Sequence, residues 1–89
     1  MDCIPRILSA AAIGPAQLLV VFSDDSKRLY DCGPLLNRTG FELLKNAAFF
    51  RQVRVDAGGY GVSWNDHIDL SEHELWTNGK PVSEQSFAS

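Results

Sequence analysis

The run Q-L-L-V-V-F-S at residues 17–23 constrains the fold more than any other stretch. Five consecutive apolar residues, two of them β-branched, are bounded by Gly14-Pro15 on one side and Asp24-Asp25-Ser26 on the other. That pattern marks a strand. Side chains alternate along a strand, so Leu18, Val20 and Phe22 share one face and Leu19 and Val21 the other. Both faces are apolar. Such a strand belongs inside a sheet, with cover expected on each side from a helix, a second chain or aromatic residues further on.

The flanking segments supply its neighbours. In P-R-I-L-S-A-A-A-I (5–13) the alanines favour helix when taken alone. The short Gly-Pro break before the next strand instead suits a hairpin, which makes 6–13 strand one and 17–23 strand two. Asp24-Asp25-Ser26 is turn chemistry, because such side chains bond their own backbone. K-R-L-Y-D (27–31) then returns as strand three.

Cys32-Gly33-Pro34 ends this meander, and Leu35 and Leu36 read as one helical turn. A longer helix is expected over 41–51, F-E-L-L-K-N-A-A-F-F-R, with Phe41, Leu43 and Leu44 at helical spacing, Phe49 and Phe50 closing it, and a break near Asn46. Its expected role is to roof one face of the sheet. A second hairpin follows, with Val53 and Val55 alternating with Arg51 and Arg54, Asp56-Ala57-Gly58-Gly59 as the turn, and Tyr60, Val62 and Trp64 sharing one face of the return strand. After Gly79 the periodicity stops, so residues 80–89 are expected to form a flexible tail behind a single domain over 1–79. The fold class is α+β, a small antiparallel meander of two hairpin units packed against short helices.

Eighty-nine residues suffice for one small core. A net charge of −3 argues against a nucleic-acid platform, which needs an excess of Lys and Arg on one face. No basic segment followed by a long apolar run opens the chain, and no stretch approaches the ~20 apolar residues of a membrane span, so a cytoplasmic location is expected. Cys3 and Cys32 lack zinc-site spacing. They flank strands one and three of the meander, which lie roughly 10 Å apart, so two free thiols are expected.

The stretch with most chemistry is Y-G-V-S-W-N-D-H-I-D-L-S-E-H-E-L-W at 60–76. One reading is a zinc or manganese site formed by His67, Asp69 and His73, since residues two apart on a strand project to one face. The histidines are six apart, however, and helical metal signatures place them at i and i+4. The architectural reading explains more residues. Ser71 is the N-cap of a helix and Glu74 completes the capping box, with its carboxylate reaching back to the Ser71 N–H. Leu70 and Leu75 form the hydrophobic staple, Glu72 favours the positive helix end, and Asp69 bonds local backbone. A third reading lines a ligand or peptide groove with Tyr60, Trp64 and Trp76.

L-L-V-V-F-S-D-D, R-L-Y-D, F-E-L-L-K-N-A-A-F-F-R-Q-V-R-V-D and V-S-W-N-D-H-I-D-L-S-E-H-E-L-W together resemble the small bacterial domain-of-unknown-function family 2442 over roughly residues 5–76. Relatives commonly carry glycine where this chain has Asp25 and again where it has His67. The resemblance implies an α+β meander domain and no established activity. Some relatives look like a module ahead of a helix-turn-helix, and others resemble an antitoxin-like accessory partner. Both associations imply binding. The expectation is a non-enzymatic protein-interaction or regulatory domain, able to self-associate, with no cofactor and no direct nucleic-acid or membrane contact. The alternatives are the metal site and the aromatic groove.

Overall fold

The computed structural model describes residues 4–14 and 16–82. Strands β1 (Ile7–Ile13), β2 (Gln17–Phe22) and β3 (Lys27–Asp31) form the expected antiparallel meander, with β2 central. The β2–β3 loop is closed by its own side chain, as the Asp24 carboxylate accepts from the Ser26 N–H at 2.9 Å. Those bonds from Ser26 hold the Asp24 carboxyl below its ordinary range.

After the meander the chain runs through a 3₁₀ segment, Gly33–Asn37, into the region expected to be one helix. It is instead a 3₁₀ turn, Glu42–Lys45, and a single α-turn, α1 (Ala47–Phe50). The break falls at Asn46, whose extended backbone (φ −82°, ψ 117°) starts α1 and whose side chain accepts from the Phe49 N–H at 3.0 Å. Splitting the helix turns Leu44 and Phe50 inward and leaves Leu43 about half exposed (52%), correcting the single helical face drawn through Leu43.

The second unit has three strands: β4 (Arg54–Val55), β5 (Gly61–Ser63) and β6 (Asp69–Ser71), in that order. A 3₁₀ turn, Ala57–Gly59, joins the first two, with Gly58 and Gly59 at φ +83° and +76°. A Cβ on Gly59 would stand 2.6 Å from the Ile7 carbonyl, so glycine is required there by both conformation and space. Tyr60 ends this turn in a helical conformation and is exposed. The expected alternation therefore begins only at Gly61, and Gly61, Val62 and Ser63 are all buried.

Helix α2 (Glu72–Asn78) follows, and then β7 (Lys80–Val82), which pairs antiparallel with β3. This corrects the expectation of a tail from residue 80. The first three residues complete a four-stranded sheet ordered β1-β2-β3-β7, and residues 83–89 lie outside the described residues. Local periodicity could not reveal β7, because a three-residue edge strand containing proline is defined by the partner it finds.

One core joins the two sheets. Ile7, Leu18, Val20, Phe22 and Tyr30 come from the inner face of the larger sheet and meet Leu44, Phe50, Val62, Trp64, Ile68, Leu70 and Leu75. Phe50 stacks on Trp64 with ring centroids 5.9 Å apart, and the Trp64 indole N–H donates to the Phe50 carbonyl at 2.8 Å. That bond gives the buried indole the partner it needs.

Candidate functional site

The register of the larger sheet sorts its side chains into two faces. Leu18 opposes Tyr30 and Val20 opposes Arg28 on the inner side, while Leu19 opposes Leu29 and Val21 opposes Lys27 on the outer side. Every core residue contributed by this sheet lies on the inner side. Leu19, Val21 and Leu29 remain partly exposed. Among the described residues the core therefore packs against one face of this sheet, in two layers. The cover expected on both faces of β2 is thus supplied on one face by the described residues.

A β-bulge enlarges the open face. Ile7 pairs with Phe22 and Ser9 with Val21, so Leu8 is the extra residue. Two residues of the bulged strand then oppose one on its partner, which places Leu8 beside Ser9 opposite Val21. Its side chain is 59% exposed. Sequence alternation could not locate this leucine, because a bulge shifts the period by one. Leu29 was legible only as the residue opposite in phase to Tyr30.

Where the outer face is apolar, the end of the sheet beside α2 is polar. The Tyr30 hydroxyl donates to Glu74 Oε2 at 2.7 Å, and the Asn78 amide donates to the same oxygen at 3.0 Å. Burial, and then the bond to the Glu74 carboxylate, raise the Tyr30 phenol well above its ordinary value. This corrects half of the expected capping box. Ser71 is the N-cap and accepts from the Glu74 N–H at 3.1 Å, but the Glu74 carboxylate turns to Tyr30. Leu70 and Leu75, the expected staple pair, are both buried in the core.

The three candidate metal ligands are placed apart in role. His67 is exposed in the bend after β5, Asp69 is exposed in β6, and His73 is exposed on α2. Among the described residues, no group of three His, Cys, Asp or Glu side chains could hold a metal ion. The local backbone bonding expected of Asp69 is done by Asn65, whose Oδ1 accepts from the His67 and Ile68 N–H groups at 2.8 Å each.

The three aromatic candidates also have separate surroundings. Trp64 is buried against Phe50. Trp76 meets Phe22 edge-on, with centroids 5.0 Å apart, and carries the Arg28 guanidinium 3.9 Å from its ring centroid. Arg28 also donates to the Gly79 carbonyl at 3.1 Å, fastening the end of α2 to β3. Tyr60 is exposed beneath Arg6, which lies 4.1 Å from its ring centroid and reaches Glu72 at 3.3 Å. Cys32 is a buried free thiol, pushed up to about 12 chiefly by burial. Cys3 lies outside the described residues.

No helix among the described residues is long and apolar enough to cross a membrane. Comparison with curated proteins and comparison with solved structures each give no significant match. A family model does match, over residues 7–81, from the first residue of β1 into β7. Its description is "Protein of unknown function (DUF2442)", and the chain belongs to that family.

Proposed function

We propose that this chain is a non-enzymatic protein-interaction domain that docks through the open face of its four-stranded sheet. The observation that carries this reading is the apolar outer face of β2 and β3, Leu19, Val21 and Leu29, left partly exposed on a two-layer molecule. Isolated exposed leucines are ordinary on protein surfaces, whereas a contiguous apolar patch marks an interaction surface. Covering the area that each of these partly exposed side chains leaves open contributes from a fraction of a kcal/mol up to about 1 kcal/mol, and the contributions add across the patch.

Exposed Leu8 extends the patch along β1. We read the role as that of an accessory partner whose binding controls another protein.

The test is affinity capture from a native host, comparing the full chain with a Leu19→Glu/Leu29→Glu variant. Both positions are partly exposed, and circular dichroism with a thermal melt establishes that the variant is folded. A partner held by the parent chain and lost by the folded variant is the expected result. Equal capture by both would contradict docking through this face.

A further inference from the structure

We propose that the occupant of the open face is a second copy of this chain, related by a two-fold axis that crosses the strands through Leu19 and Leu29. This rests on the docking role above and names its partner.

The charge layout carries the assignment. On β3, Leu29 is flanked at two-residue spacing by Lys27 and Asp31, and all three project to the open face. Rotation about a cross-strand axis through the Leu19–Leu29 row exchanges the two ends of β3. Lys27 of one copy then stands over Asp31 of the other, and symmetry makes this pair twice. Leucine meets leucine between the two pairs. The opposed strands run close to the aligned angle at which sheets stack about 10 Å apart, a gap two facing side chains fill.

The alternative two-fold, running along the strands between β2 and β3, places Lys27 over Val21 and Asp31 over Gln17. Both charges would then lose water against neutral neighbours, which is unfavourable. Complementarity selects the cross-strand axis.

The atoms suit the pairing. Asp31 Oδ1 accepts from the Gly33 N–H at 2.8 Å, which steadies the carboxylate while Oδ2 serves an incoming ammonium. Lys27 has an interaction within its own chain, and an ammonium with three donors can serve that partner and Asp31 of the second copy together. Lys80, on the outer row at β7, would face its own copy. It sits at the rim, where its long side chain can turn to solvent.

The experiment is sedimentation velocity on the full chain, across a concentration series, for the parent and for Lys27→Glu, Asp31→Lys, the double reversal and Leu29→Glu. Circular dichroism and thermal melts establish that each variant is folded. The parent is expected to dimerise, each single reversal to raise the dissociation constant roughly tenfold or more, and the double reversal to restore it. Leu29→Glu is expected to be monomeric. A parent dimer indifferent to both single reversals overturns the axis. A monomeric parent that still captures a partner through Leu19 and Leu29 overturns the second copy and leaves the docking role standing. A parent that dimerises only after removal of residues 83–89 places that segment on the face and overturns the proposal.

Discussion

Asp25 is, among the described residues, the one non-glycine residue with positive φ, at +71°. An L side chain in this left-handed region costs about 1 kcal/mol, less for aspartate than for most residues. Glycine, which the family resemblance implies at this position, takes such a conformation at no steric cost. Replacing Asp25 with glycine should therefore be neutral to stabilising, by up to about 1 kcal/mol, as read by chemical denaturation. His67, the other position where the resemblance implies glycine, has no positive φ, so no such gain is expected there.

At the same scale, Tyr30 and Cys32 couple stability to alkaline pH. Both groups titrate higher in the folded chain than their ordinary values of 10.0 and 9.0, because burial disfavours the charged form. A raised folded value stabilises fully below the unfolded value and is lost as pH rises through the folded one. Unfolding free energy should thus hold steady up to pH 9 and fall above it, first as unfolded Cys32 ionises and then as unfolded Tyr30 does. Cys32→Ala should remove the part of the decline that begins near pH 9. Tyr30→Phe should cost about 1–2 kcal/mol at neutral pH, the value of a hydrogen bond to a carboxylate that keeps Asn78 as a second donor.

At the scale of elements, legibility followed the range of the interactions. β2, β3 and the Ser71 cap were legible because alternation and capping act within a few residues. Ser71→Ala should cost about 1 kcal/mol in thermal or denaturant unfolding, in line with other N-caps. The break at Asn46 was legible too, since an asparagine inside an apolar helical pattern is a cap in waiting. What stayed hidden depends on partners far along the chain. The Glu74 carboxylate had two destinations, Ser71 next to it or Tyr30 forty-four residues away, and local spacing names only the first. β7 exists through β3, and the Leu8 bulge through its register with β2. Ending the chain after Gly79 should expose the β3 edge, lower the unfolding free energy and promote aggregation, which light scattering during a thermal ramp would record.

At the scale of the whole molecule, the two-layer arrangement decides what the surface can do. The inner face of the large sheet is spent on the core, while the outer face carries Leu8, Leu19, Val21 and Leu29 outward with Lys27 and Asp31 placed about them. The candidate site was half legible: alternation named Leu19 and Val21 and called for cover on their side, but not which side this chain leaves open. Substitution on the outer face should change association, and circular dichroism with a thermal melt separates that effect from any loss of stability. The most direct test is equilibrium sedimentation of the full chain beside Leu29→Glu at matched concentrations. The parent is expected at twice the 9.8 kDa chain mass and the folded variant at 9.8 kDa. A parent at 9.8 kDa at every concentration, combined with unchanged partner capture by the Leu19→Glu/Leu29→Glu variant, would contradict the open face as a docking surface.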